Sequence, residues 1–200
     1  MPQFDLRGIY AAQYNFENDT VSYTNKQKVG DAMSVNLELR FAEGRLYAES
    51  TLAEYMRKVV GGTISIGVKY ILANAQKLML GSRENTRNVS YTPSAGGEPA
   101  TSAVSGLVTG GKTQSKYVGV AFYAPDKVDG VDRFTCVFIR RALFGAPGMS
   151  LQTAGENIVF NTPTISGEFM ADGTANRDLL EVAVCDDENA AIAWVQEVLT

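Results

Sequence analysis

Histidine is absent from the 200 residues of this chain, and cysteine occurs only twice. The side chain that most often serves as general base and metal ligand is therefore missing. Two thiols alone cannot complete a histidine and cysteine zinc site. No Ser/His/Asp or Cys/His catalytic set can be assembled either. The composition predicts a protein that is not an enzyme and that needs neither a metal nor another cofactor.

Long apolar runs are also absent, since no stretch of eighteen apolar residues occurs. The first residues, MPQFDLRGIYAAQYNF, lack the basic segment and the apolar block of a signal peptide. We therefore expect synthesis in a cytosol and no insertion into a membrane. In that reducing compartment, Cys136 and Cys185 are expected to be small buried hydrophobic residues without a disulfide bond.

Positive charge is not in excess, because the formal net charge is -4. This balance argues against a broad basic face that binds nucleic acid. Hydrophobic residues make up 45% of the chain, which is ordinary for a globular protein, and the length suits one core. We expect a single domain over residues 1–200.

The strongest strand pattern lies in Val131 to Phe144, where β-branched and aromatic residues fall on both alternating sets. Such a strand is expected to be covered on both faces and to form the central hairpin with Lys116 to Ala124 across a turn at residues 125–130. Further strands are predicted at Gly8 to Phe16, at Asn157 to Phe160 and at Leu179 to Val184.

Residues 32–41 show the clearest alternation, with Met33, Val35, Leu37, Leu39 and Phe41 on the apolar side. The return strand is expected at residues 45–49 after a turn at residues 42–44. A helical turn is then possible at residues 51–57.

A strand over Thr63 to Ile71, with Ile64, Ile66, Val68 and Tyr70 facing inward, leads into a short helix near residues 72–80. Gly81 follows this helix at the position where a residue in the left-handed conformation commonly caps a helix. Residues 82–114 are polar and are interpreted as a loop excursion from the domain. Residues 186–200 are predicted to form a helical extension, capped by Asp186 or Asp187, with Ala191, Trp194, Val195 and Val198 on its apolar stripe. The expected fold is mostly β, with two packed antiparallel sheets or a flattened barrel.

Two patterns resemble binding motifs without their usual setting. Residues 106–113, GLVTGGKT, match the letters of a phosphate-binding P-loop, but a strand-like segment follows where the chemistry needs a helix. Asp126, Asp129 and Asp132 have no calcium-loop spacing and are typical of a hairpin turn. We predict neither nucleotide nor calcium binding from them.

Several segments together resemble the major tail tube proteins of long-tailed, non-contractile bacteriophages. Those chains commonly close with F-x-T-P-x-L-x-G-x-F, and the matching positions here are Phe160, Thr162, Pro163, Ile165, Gly167 and Phe169. Leu46 to Ser50 is similar to the family's L-Y-A-D-N, and the strand followed by a helix ending at Gly81 agrees in order. The likeness covers about residues 30–81 and 115–171.

The resemblance implies stacked rings, typically of six copies, that form a hollow tail tube through which DNA is delivered. It implies as partners the chain itself, a tape measure protein, a tail terminator and tail-tip proteins, with transient passage of DNA that is not bound specifically. It also implies assembly in the host cytoplasm and a final place in the virion tail. Ring-to-ring contacts are assigned to residues 42–62 and 82–114.

The residues expected at contacts between subunits are tyrosines and charged residues of these segments and of the central strand: Tyr47, Glu49, Tyr55, Arg57, Arg83, Arg87, Arg140 and Arg141. Arg140 and Arg141 are expected to end the central strand and to point to opposite faces. Glu38 and Glu49 are candidates for lining the channel, because a conduit for DNA should repel it weakly.

Two alternatives stay open. The inner tube protein of a contractile or type VI-like injection machine shares the expected fold, although such a chain would usually be shorter and lack the excursion at residues 82–114. A monomeric β-sandwich that binds carbohydrate would instead expose aromatic side chains on one sheet face. The candidates for such a face are Tyr10, Tyr14, Tyr47, Tyr55 and Tyr123.

Overall fold

The computed structural model describes residues 5–48, 51–94, 96–128, 130–148 and 162–200. Within them the chain is mostly β, with two antiparallel sheets, one short helix and one C-terminal helix, and the predicted fold class is confirmed. The strands are β1 Arg7–Glu17, β2 Thr20–Lys28, β3 Ala32–Ala48, β4 Thr51–Val68, β5 Arg83–Tyr91, β6 Ala100–Val108, β7 Tyr117–Val128, β8 Val131–Phe144, β9 Thr164–Phe169 and β10 Leu180–Cys185, and the helices are α1 Ala73–Leu80 and α2 Glu188–Glu197.

The larger sheet has eight strands in the order β2-β1-β7-β8-β9-β4-β3, and β10 pairs with β8 outside this path. One edge of β8 is shared, since β10 lies beside Phe134–Ile139 and β9 lies beside Ala142–Phe144. The other edge of β8 pairs with β7. The predicted central hairpin is therefore confirmed, although β7 continues through Pro125 to Val128 and the turn is shorter than expected.

The main core lies inside the curve of this sheet. Buried side chains of β1, β7 and β8 belong to the same cluster as those of β4 and β9, which follow later in the strand order. A flat sheet could not bring these side chains together, so the sheet must curl. Helix α1 packs into the cluster through Ala75 and Met79 and ends at Gly81, whose φ of 67° is the left-handed cap that the sequence predicts.

A second core covers the opposite face of β1, β7 and β8. Helix α2 contributes Ala191 and Val195, both buried as predicted, and the helix packs on its own chain. The Asp187 carboxylate accepts hydrogen bonds from the backbone amides of Asn189 and Ala190, so Asp187 is the cap. Strand β8 is thus covered on both faces, with Ile139 in the inner cluster and Phe138 in the outer one.

Strands β3 and β4 form a much longer hairpin than the sequence predicts. The turn expected at residues 42–44 and the helical turn expected at residues 51–57 are both wrong, because β3 runs unbroken to Ala48 and pairs with β4 from Thr51 onward. Met33, Leu39 and Phe41 were expected inside but are exposed, as is Tyr70, whereas Ile64, Ile66 and Val68 are buried as predicted. We call residues 40–48 and 51–60 the arm.

Residues 82–114 do not form the irregular loop that the sequence predicts. Strands β5 and β6 pair over their full length as a separate two-stranded sheet, which we call the β5–β6 hairpin. Strand β2 was also not predicted. The strand expected at Asn157 to Phe160 and the matching position Phe160 lie outside the described residues.

The strand ladder gives the domain two distinct ends. Each neighbouring pair in the run β7-β8-β9-β4 is antiparallel. Strand β7, followed from Tyr117 to Val128, therefore runs in the same direction as β4 followed backwards from Val68 to Thr51. The tip of the arm therefore points to the same end as the β7–β8 turn. The β5–β6 hairpin leaves after Gly81 and returns at Lys116, whose amide donates to the Met79 carbonyl over 3.2 Å. The arm and the β5–β6 hairpin thus emerge from opposite ends.

Candidate functional site

No group of three or more cysteine, aspartate and glutamate side chains in the described part of the chain could hold a metal ion. Asp126 is buried, whereas Asp132 is exposed and pairs with Lys127 over 3.4 Å, and Asp129 lies outside the described residues. Of the helices in the described ranges, neither has the length and apolar character needed to cross a membrane.

The P-loop-like string GLVTGGKT adopts a different structure from the one phosphate binding requires. It starts in β6, turns where the Thr113 amide donates to the Gly110 carbonyl over 2.8 Å, and leads into strand β7. No helix follows Lys112, so its backbone amides are not aligned by a helix dipole. This arrangement differs from the strand, loop and helix of a phosphate-binding P-loop.

One face of the arm is paired within the chain. The Arg57 guanidinium stacks 3.6 Å from the centre of the Phe41 ring and lies 3.3 Å from the Glu43 carboxylate. Arg45 is 3.6 Å from the same carboxylate and lies over the Tyr55 ring. A hydrogen bond to Glu43 raises the pKa of the Tyr55 hydroxyl. The charges on this face therefore have partners in their own chain.

The opposite face of the arm has exposed apolar side chains without such partners. Met56 is 75% exposed and Leu46 is 58% exposed, and Leu46 lies across the ladder from Glu54. Glu54 has no ion-pair or hydrogen-bond partner among the described side chains. Lys58 shares this face nearer the domain, opposite Ala42. Among the described side chains, the tip of the arm thus presents one carboxylate without a partner, Glu54, beside the two large apolar groups Leu46 and Met56.

The β5–β6 hairpin also has two different faces. On one, hydroxyl groups bond to each other across the strands, with Thr86 and Ser105 at 2.9 Å and Ser90 and Thr101 at 3.2 Å. These contacts pair four hydroxyl groups of that face within the hairpin.

The other face of the hairpin is apolar with basic residues. Val89 and Val104 are about half exposed, and Arg87 lies directly across the ladder from Val104. The side chains form a shallow groove of about 220 Å³. Arg83 lies on the same face nearer the domain, and within the described ranges neither arginine has an ion-pair partner.

Arg140 and Arg141 make their contacts with side chains of their own subunit. They do not end the strand, because β8 continues to Phe144, and β8 has an extra residue here since Val118 faces Ala142 while Val120 faces Ile139. This bulge brings both arginines toward the α2 face, and the prediction that they point to opposite faces is wrong. Their guanidinium groups stack near the rings of Phe138, Tyr14 and Tyr117.

Arg140 is surrounded by carboxylates of its own subunit. It lies 3.1 Å from Glu181, 3.8 Å from Asp178 and 3.6 Å from Asp172, whose side chain is fully buried. A buried carboxylate needs such a partner. The arrangement gives Arg140 a role in holding the turn after β9 against β8.

The predicted tyrosines do not form one exposed shelf. Tyr14 and Tyr123 are buried in the outer cluster, and only Tyr47 and Tyr55 are well exposed, both on the arm. Burial, together with a hydrogen bond to Glu188, raises the pKa of Tyr123 to about 12. This geometry does not favour the flat aromatic surface of a carbohydrate-binding module.

Three strands have a free edge in the part of the larger sheet that the structure describes. β2 pairs only with β1, β3 only with β4, and β10 only with β8. Glu38, a candidate channel residue, lies exposed on β3, and Glu49 falls outside the described residues.

No model of a known protein family matches this chain, and no curated protein matches it in sequence.

Proposed function

We propose that this chain is a structural protein whose copies associate into stacked rings and form the tail tube of a long-tailed bacteriophage. The observation that carries the proposal is the pair of hairpins leaving opposite ends of one domain, each with exposed apolar side chains. By the resemblance of the sequence to tail tube proteins, the rings contain six copies and DNA passes through their centre.

The exposed hairpin faces favour a partner on physical grounds. A two-stranded hairpin alone is marginally stable in water, and the β5–β6 hairpin buries none of its side chains fully. The arm extends about 30 Å beyond Gly61 at the usual rise per residue of a strand. Contiguous exposed apolar groups of this kind mark interaction surfaces. Association of copies would remove them from water.

Different surfaces at the two ends support head-to-tail contacts. A contact between unlike surfaces repeats from copy to copy and builds either a closed ring or an open stack. The free edges of β2, β3 and β10 can meet edges of neighbouring copies within a ring, which would satisfy their unpaired backbone groups. Tyr47, Tyr55 and Arg57 on the arm, and Arg83 and Arg87 on the hairpin, remain our candidates for subunit contacts.

The charge of the chain suits a conduit for DNA. With a net charge of -4, the protein should weakly repel a phosphodiester polymer, and Glu38 is exposed on an edge strand where it could face a channel. Tape measure, tail terminator and tail-tip proteins complete the proposed set of partners. The virion tail is the proposed location, after assembly in the host cytoplasm.

Light scattering coupled to gel filtration, followed by negative-stain electron microscopy, tests the proposal on the purified full-length chain. We expect rings or tubes with a regular repeat whose fraction rises with protein concentration. A homogeneous monomer at every concentration would contradict self-association, and a saturable sugar ligand bound by that monomer would favour the carbohydrate-binding alternative.

A further inference from the structure

We infer that the Arg87 face of the β5–β6 hairpin binds the Glu54 face at the tip of the arm in a second copy of this chain. The hairpin face consists of Arg87, Val89, Tyr91 and Val104, and the arm face consists of Leu46, Glu54 and Met56. The inference rests on the proposed self-association and names the surfaces and the ion pair that join successive copies.

These two faces are the ones whose charged groups are not already paired within the described part of the chain. The other arm face pairs Glu43 with Arg45 and Arg57, and the other hairpin face bonds its hydroxyl groups across the strands. Of the four faces of the arm and the β5–β6 hairpin, only these two combine exposed apolar groups with a charge that lacks a partner among the described residues. Of these four faces they are therefore the two with most to gain from contact.

The two faces are complementary in charge and in apolar character. Arg87 lies opposite Val104, with Val89 and Tyr91 further along the same face, and these three neighbours are 45 to 53% exposed. Glu54 lies opposite Leu46, with Met56 beside it on the same face. A guanidinium group binds a carboxylate in a fixed two-bond geometry, and apolar neighbours that exclude water strengthen the pair. The hairpin face supplies the cation and the arm face supplies the carboxylate, and both supply exposed apolar groups.

The positions of the hairpins allow this contact between copies. The arm tip and the β5–β6 hairpin emerge from opposite ends of the domain, so the hairpin of one copy meets the arm of the next when copies stack in the same orientation. Such a contact is heterologous and repeats along a stack. A second copy is the occupant we propose because the complementary face is present on the same chain.

A charge exchange tests the inference in the full-length protein. The variants are Arg87→Glu, Glu54→Arg and the double variant that combines them, which keeps the net charge of the natural chain. Asn88→Glu serves as the control, because Asn88 neighbours Arg87 but lies on the opposite hairpin face. Circular dichroism and thermal unfolding confirm that each variant is folded, which is expected since both charged residues are exposed.

Each single variant places like charges across the contact, so the concentration for half-assembly should rise about tenfold or more. The double variant should return to within about threefold of the natural chain, since it restores an opposite pair. Asn88→Glu should change assembly little. If the natural chain assembles and the single variants assemble equally well, the inference is overturned and the proposed function stands. Natural chain that never assembles would overturn the proposed function itself.

Discussion

Ile139 lies at the centre of β8 with none of its side chain exposed, in the cluster that joins both halves of the curved sheet. Replacing it by alanine leaves a cavity that the surrounding strands fill only in part. We expect Ile139→Ala to lower the free energy of unfolding by about 2 to 5 kcal/mol, measured by urea denaturation.

Val182→Ala is the matched control for Ile139→Ala. Val182 lies on β10 beside β8 but is 56% exposed, so its truncation should change stability by less than about 0.5 kcal/mol. Equal losses for the two variants would show that β8 is not at the centre of the core.

Cys136 and Tyr123 make the stability of the fold depend on pH in the alkaline range. Burial, together with the Cys185 thiol 3.9 Å away, raises the pKa of Cys136 from 9.0 to about 12. Burial also raises the pKa of Tyr123 to about 12. Below about pH 9 the folded and unfolded chains both keep these protons. Between about pH 9 and 12 the unfolded chain loses them first, so the free energy of unfolding should fall as pH rises.

Urea unfolding at a series of pH values across that window measures the slope. Cys136→Ala removes one of the titrating groups, and the slope should become shallower whatever the variant's stability at neutral pH. An unchanged slope would show that the Cys136 thiol ionises as readily in the folded protein as in the unfolded chain.

Arg140 and Arg141 show what alternation in a sequence cannot reveal. A strict period of two places neighbours on opposite faces, yet the extra residue in β8 brings both guanidinium groups to aromatic rings of the outer core. A bulge depends on how β7 aligns with β8, and nothing in the fourteen residues of β8 marks it. The carboxylates around Arg140 come from residues 172–181 and likewise depend on the fold.

At the level of elements, the strands that the sequence misses, β2, β5 and β6, are strands that bury almost no side chain. β8, α1 and α2 were predicted because burial imposes a periodic pattern on them. In β2 only Tyr23 is buried, and in β5 and β6 no residue is, so no such pattern exists. Strand pairing there depends on backbone hydrogen bonds, which any polar sequence can make. The hairpin at residues 82–114 therefore resembled a loop.

Gly44 caused the error in the arm. Glycine between charged residues is typical of a turn, but a Cβ at Gly44 would have no atom within 4 Å and the residue simply continues β3. The glycines at the base of the arm are the constrained ones, since a Cβ on Gly62 would lie 2.4 Å from the Phe169 ring. The sequence does not distinguish the two cases.

The β5–β6 hairpin can be removed without disturbing the main core. Arg83 and Val108 face each other in the ladder, so an Asn-Gly pair can replace residues 84–107 as a two-residue turn. Because the removed residues bury no side chain fully, we expect a folded protein whose thermal midpoint falls by no more than a few degrees. Assembly should weaken strongly.

Circular dichroism and thermal unfolding check the fold of this shortened chain, and sedimentation velocity checks its assembly. An unfolded product would show that the hairpin belongs to the core. A folded product that assembles as well as the natural chain would show that the hairpin does not join copies.

For the whole molecule, two unlike ends mean that any stack of copies has a direction. A growing stack of the kind we propose offers hairpins at one end and arms at the other, because each proposed contact uses one of each. Ring closure within a layer would use the sheet edges, which are separate from both hairpins. Growth along the stack and closure within a ring can therefore be disturbed independently.

The chain without its β5–β6 hairpin should act as a cap. It keeps the arm and can add to the end that offers hairpins, but it presents no hairpin to the next copy. A small fraction of this variant mixed into the natural chain should shorten the tubes seen by negative-stain microscopy, with length falling as the fraction rises. A chain in which Asn-Gly replaces residues 42–58 between the paired residues Phe41 and Val59 should block the other end in the same way. Tube lengths that stay constant at every ratio of either variant would contradict head-to-tail stacking through the two hairpins.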